Sequence, residues 1–105
     1  MKETWVRVAA EGDVPEGGTL QARLGSEPVC LYKIDGRVYA THDTCTHGRA
    51  SLADGTVRGE EIECALHKGR FHIPSGKAVA VPCVRNVRTY AVKLEDGAVW
   101  LDGGC

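Results

Sequence analysis

A chain of 105 residues has room for a single core and no second domain. Its 43% hydrophobic and 26% charged content is that of an ordinary globular protein, and a net charge of −1 leaves no basic stripe for nucleic acid. The opening Met1-Lys2-Glu3-Thr4-Trp5-Val6 lacks the apolar region of a secretory signal, and no run approaches the roughly 20 apolar residues of a membrane span. A cytoplasmic protein with no membrane partner is expected.

In chain order, the first strand signal is Leu20, Ala22 and Leu24 alternating with Thr19, Gln21 and Arg23, the period of a half-buried strand. Val29 to Ile34 then meets Arg37 to Thr41 across Asp35-Gly36, a turn pair suited to a two-residue hairpin. From Thr41 to about Pro82 the pattern changes: glycine is frequent, long apolar runs are fewer, and all four histidines lie here. A last hairpin is expected from Tyr90 to Leu94 and Ala98 to Leu101 across Glu95-Asp96-Gly97. No apolar stripe at helical spacing appears. These signals predict an all-β fold, an antiparallel β-sandwich or partly open barrel. Residues 1–105 form one domain in this reading, with a small loop-rich lobe, roughly 42–82, inserted in the β framework.

Five cysteines without an export signal argue for metal binding rather than disulfides, and the odd count agrees. Two of them stand in short motifs with histidines, Cys45-Thr46-His47-Gly48 and Cys64-Ala65-Leu66-His67-Lys68-Gly69. The pattern is C-x-H, sixteen residues, then C-x-x-H. A common zinc finger places both cysteines before both histidines. Alternation suits a two-iron cluster straddling two loops, with thiolates on one iron and imidazoles on the other. Gly48 and Gly69 would let bare backbone N–H groups approach the sulfides. A mononuclear zinc site on the same four side chains is the rival reading.

The remaining candidates have plainer readings. His42 and His72 flank the motifs and read as loop or strand residues. Cys30 is a small buried hydrophobe in mid-strand, Cys83 a packing residue, and Cys105 a mobile terminal thiol. Trp5 and Trp100 are core or rim packing, and Glu60-Glu61 a solvated hairpin end.

Both motifs, their separation and the β pattern around them resemble the Rieske proteins, in particular the ferredoxin components of bacterial aromatic-ring-hydroxylating oxygenases. The likeness extends over Tyr39-Ala40-Thr41, Ile62-Glu63-Cys64, Gly69-Arg70-Phe71, Ser75-Gly76-Lys77-Ala78 and Pro82. It implies one [2Fe–2S] cluster held by Cys45 and Cys64 on the inner iron and by His47 and His67 on the outer, electron-accepting iron. It also implies no substrate turnover by the chain itself. Its partners would be a flavin-containing NAD(P)H-dependent ferredoxin reductase and a terminal Rieske oxygenase of aromatic hydrocarbon catabolism. The neighbouring alternative within the family is the small subunit of an assimilatory nitrite reductase. A zinc-stabilised interaction module without redox activity is the alternative outside it.

Two further expectations follow. Replacing two thiolates by neutral imidazoles removes the formal negative charge of the oxidised cluster and raises its potential above that of all-cysteine ferredoxins. High-potential relatives, however, carry a disulfide between the loops and serine and tyrosine hydroxyls near the sulfurs. The matching positions here are Ala50 with Leu66, and Gly69 with Phe71. The potential is therefore expected near the low end of the Rieske range, about −150 mV. Arg49, Lys68 and Arg70 give the cluster loops a basic character that would steer docking toward an acidic partner surface.

Overall fold

The computed structural model describes residues 5–44, 50–65, 68–80 and 85–102. The chain opens with β1 (Trp5–Ala10), β2 (Thr19–Leu24), β3 (Glu27–Ile34) and β4 (Arg37–His42). Its middle supplies β5 (Thr56–Arg58), β6 (Glu61–Glu63), β7 (Arg70–His72) and β8 (Ala78–Ala80). It closes with β9 (Thr89–Tyr90), β10 (Val92–Glu95) and β11 (Ala98–Asp102). The described strands form three sheets of order β1-β11-β10, β2-β3-β4-β9 and β5-β6-β7-β8, with antiparallel pairing throughout. The expected all-β, open antiparallel architecture is what the chain adopts. Two single 3₁₀ turns, Glu11–Asp13 and Leu52–Asp54, are the described helical pieces.

The Asp35-Gly36 turn forms as its chemistry requires. Both residues have positive φ, 52° and 79°, the type I′ signature, and Ile34 pairs directly with Arg37. The Glu16 carboxylate accepts the N–H groups of Asp35 (2.7 Å) and Gly36 (2.9 Å), so the turn is also tied to the preceding segment.

The last hairpin departs from expectation in two ways. Glu95 pairs with Ala98, so the connection is the two residues Asp96-Gly97, at φ 54° and 70°, rather than three. The run from Tyr90 to Leu94 is not one strand either. Tyr90 pairs with Ala40 in the second sheet, Ala91 breaks the ladder, and Val92 pairs with Leu101 in the first. Continuous alternation along the run concealed this change of sheet.

Strand β3 is the hinge of the architecture. Val29 to Tyr32 are all buried, because the strand faces a core on each side. Val29 and Leu31 join Val14, Val38, Ala40, Tyr90, Val99 and Leu101 against the first sheet. Cys30 and Tyr32 join Leu52, Ile62, Cys64, Phe71, Ile73 and Val87 against the third. Each large apolar side chain so buried contributes about 1.5–3 kcal/mol. The third sheet is small, and its apolar centre is Ile62 opposite Phe71, both fully buried. Its rim carries the ion pairs Arg58–Glu63 (3.5 Å) and Arg70–Glu61 (3.1 Å). Such exposed pairs add at most about 1 kcal/mol each.

Candidate metal centre

Three connections reach the apolar cluster between the second and third sheets. The first leaves β4 at His42 and returns through the 3₁₀ turn that buries Leu52. The second joins β6 to β7 and contains Cys64. The third runs from β8 to β9 and returns through Val87. Leu52, Cys64 and Val87 share one core, which brings the feet of the three connections together.

The first connection is closed by a bridge between Thr44 and Ser51. Asp43, only 2% exposed, organises it. Its Oδ2 accepts the Ser51 hydroxyl (2.6 Å) and the Gln21 amide (2.7 Å), and its Oδ1 accepts the Ala53 N–H (2.9 Å). Its main-chain N–H donates to the Pro28 carbonyl (3.1 Å), while its carbonyl accepts the Leu52 N–H (2.6 Å). His42 adds a further tie: its Nδ1 accepts the Thr44 N–H (3.3 Å), and its Nε2 lies 3.2 Å from Glu27.

The second connection is a tight loop. Cys64 follows β6 directly, is 1% exposed, and donates its N–H to the Gly69 carbonyl (2.7 Å). Lys68 takes a left-handed conformation at φ 60°, unusual for a non-glycine residue and a sign of a constrained return. Gly55, at the exit of the first connection, sits against the second. A Cβ there would collide with the carbonyl oxygen of Glu63, the residue before Cys64. Gly76 (φ 74°) is held in the same way against the third connection, where a Cβ would collide with the Val87 carbonyl oxygen.

Of the four sequence-identified ligands, the structure places Cys64 in the buried apolar cluster. Cys45, His47 and His67 lie outside the described residues, as do Arg49, Leu66, Pro82, Cys83 and Cys105. His42 and His72 close their strands as expected, and His72 Nδ1 lies 2.8 Å from the Ser75 hydroxyl. Cys30 is fully buried, and burial, opposed by a bond to Tyr32 and reinforced by the Asp43 charge, pushes its thiol up to about 12. Tyr32 is pushed up as well, chiefly by burial, and its hydroxyl bonds Thr41 Oγ1 at 2.7 Å. Trp5 and Trp100 are rim residues whose rings flank the Lys93 ammonium at 4.9 and 5.8 Å. Lys68 is exposed, whereas Arg70 is partly neutralised by Glu61.

Among the described residues no group of three or more His, Cys, Asp or Glu is placed to hold a metal ion, so that part of the chain offers no rival site. The donor chemistry of Cys64 fits a two-iron cluster. A thiol screened from water by Leu52, Ile62 and Phe71 sits at the start of a loop that ends in a second candidate donor and the buried Gly69.

The profile of the Rieske [2Fe–2S] domain matches residues 4–91. The chain belongs to the Rieske family. A naphthalene 1,2-dioxygenase/salicylate 5-hydroxylase systems ferredoxin component from Ralstonia sp is 41% identical over 96% of this chain and 97% of that protein. The solved ferredoxin of carbazole 1,9a-dioxygenase from Nocardioides aromaticivorans IC177 superposes with a TM-score of 0.89 at 34% identity, covering 94% of this chain and 97% of that one. A chain in the solved complex of reduced oxygenase and oxidized ferredoxin in carbazole 1,9a-dioxygenase gives 0.87 at 36% identity, over 97% and 95%. A Rieske domain carries a [2Fe–2S] cluster.

Sequence reasoning missed Asp43, Gly55 and Gly76. Only Gly76 lies in a stretch that carries the family likeness, and nothing in that stretch announces its contact with Val87.

Proposed function

We propose that this Rieske chain is an electron-transfer ferredoxin rather than an enzyme in its own right. It passes one electron at a time to a terminal aromatic-ring-hydroxylating oxygenase and receives it, in the cytoplasm, from a flavin-containing NAD(P)H-dependent reductase. Cys45, His47, Cys64 and His67 hold the cluster. The buried Cys64, at the foot of a closed loop that shares its core with the other two connections, is the observation that carries the reading. High-coverage similarity to a dioxygenase-system ferredoxin component supports the partner class. Among the described residues no helix is long and apolar enough to cross a membrane.

When bound, the cluster supplies a one-electron couple. The chain's own residues set its surroundings. Cys64 and its apolar neighbours exclude water from the thiolate side. Phe71, fully buried, offers no hydroxyl, and Gly69 offers none either, so the reduced state lacks two donors found in high-potential relatives. Both features suit a low-potential carrier.

Substitution tests the ligand set. Cys45→Ser, Cys64→Ser, His47→Ala and His67→Ala each lose iron and sulfide, while Cys30→Ser, Cys83→Ser and Cys105→Ser retain about two of each per chain. Iron and acid-labile sulfide analysis, with electron delivery from the reductase to an oxygenase, gives the readout. Retention of the cluster by any of the four ligand variants contradicts the assignment.

A further inference from the structure

Gly55 is a glycine that its own backbone does not require. At φ −85° and ψ −171° it is extended, a conformation open to any residue. Its neighbours require it instead. A Cβ at Gly55 would collide with the Glu63 carbonyl oxygen and would stand 3.1 Å from the Leu52 carbonyl oxygen, closer than side-chain carbons normally approach. Both obstacles are main chain, so neither can swing aside as the end of a flexible side chain would.

The two sides of this contact belong to the two ligand-bearing connections. On the first side, Gly55 ends the 3₁₀ turn Leu52–Asp54, and that turn is well anchored. Leu52 is buried, its N–H donates to the Asp43 carbonyl (2.6 Å), and Thr19 Oγ1 on β2 donates to the Ala53 carbonyl (2.7 Å). The Gly55 N–H donates in turn to the Leu52 carbonyl (2.9 Å). On the second side, the Glu63 carbonyl shares its peptide bond with the Cys64 N–H, which closes the second loop on the Gly69 carbonyl (2.7 Å). The register leads to the same place. Strands β5 and β6 pair Arg58 with Glu61, Val57 with Ile62 and Thr56 with Glu63, so one step further sets Gly55 opposite Cys64.

We propose that Gly55 is a positioning residue for the metal centre: its bare Cα lets the anchored turn of the first connection abut the Glu63–Cys64 peptide, and this contact sets the spacing of the two ligand-bearing loops. The inference rests on the ligand assignment above, which takes one thiolate and one imidazole from each loop. A methyl group added at Gly55 has to push that peptide away. The push moves the Cys64 main chain and strains its bond to Gly69, across a stretch of sequence that includes His67. A two-iron cluster bridging both loops registers the change, because the groups behind its ligands govern both its retention and its electronic structure.

The test uses cluster-loaded protein. Gly55→Ala is compared with Gly59→Ala, which alters the turn of the same β5–β6 hairpin at φ 62° with open space around it. Loss of the cluster to an iron chelator is followed by visible absorbance, and EPR g values are recorded after dithionite reduction. Gly55→Ala is expected to lose its cluster about 10–100-fold faster than wild type, with displaced g values. Gly59→Ala is expected to keep the wild-type g values, since general weakening of the fold speeds loss without changing the loaded centre. A folded Gly55→Ala chain that takes up no cluster, beside a loaded Gly59→Ala, is the extreme of the expected result. If Gly55→Ala yields no folded protein, Thr19→Val decides: it removes the bond that anchors the turn and adds nothing at the contact. Displaced g values and loss about tenfold faster are expected of it. Wild-type g values in loaded Gly55→Ala, or in Thr19→Val where Gly55→Ala does not fold, overturn the proposal, as does an equal displacement in Gly59→Ala. Wild-type protein without a Rieske spectrum would instead overturn the ligand assignment, and this inference with it.

Discussion

At the scale of single residues, burial has turned ordinary side chains into specialised ones. Cys30 reads from sequence as a small hydrophobe, and it is one, but its thiol also lies on a buried polar line with Tyr32, Thr41 and the His42 carbonyl. The sign of the pH effect is set by its raised folded value. Below the ordinary 9.0 the stability it lends is fully present, and that stability is lost as pH climbs toward about 12. The folded protein should therefore weaken across that alkaline window more steeply than a Cys30→Ala variant does, in urea titrations at stepped pH. In the native state the same thiol should resist alkylating reagents that modify it at once after unfolding. Parallel alkaline profiles for the two proteins would contradict this. The motif proposed to hold the cluster was legible as a family signature because its information is local: four side chains in two short sequence runs. Asp43 was not, because its three described side-chain partners are Gln21 on β2 and Ser51 and Ala53 further along the chain.

At the scale of elements, glycine contacts lock the loops to one another. Gly76 combines a left-handed backbone with a carbonyl against the place where a Cβ would go. Gly59, in the β5–β6 turn, has a similar φ of 62° but open space around it. Gly59→Ala should cost about 1 kcal/mol for backbone conformation alone. Gly76→Ala should cost more, about 2–3 kcal/mol, since the Val87 segment must also move. Chemical denaturation of the two variants separates the contributions, and equal losses would remove the claim that Gly76 clamps the third connection. The hairpin turns were readable because Asp-Gly pairs dictate their own geometry. The break at Ala91 was not, since neighbours distant in the chain decide which sheet each half joins. Gly55 and Gly76 stayed hidden for the same reason: each is defined by a carbonyl that only the fold brings near.

At the scale of the whole molecule, β3 couples a conventional β framework to a small lobe that could not bury its apolar face alone. Cys30 and Tyr32 support the lobe, and Val29 and Leu31 hold the framework. The apolar core that contains Cys64 is thereby tied to β3, whose side chains are buried toward both cores. The proposed function stands on one point above the others, that the lobe holds a two-iron cluster on two thiolates and two imidazoles. EPR of the dithionite-reduced protein, with nitrogen hyperfine spectroscopy, tests that ligation without intermediaries. The expected result is a signal of about one spin per two irons, coupled to the ring nitrogens of two histidines. A silent, colourless protein containing zinc, or a two-iron signal without nitrogen coupling, would contradict it.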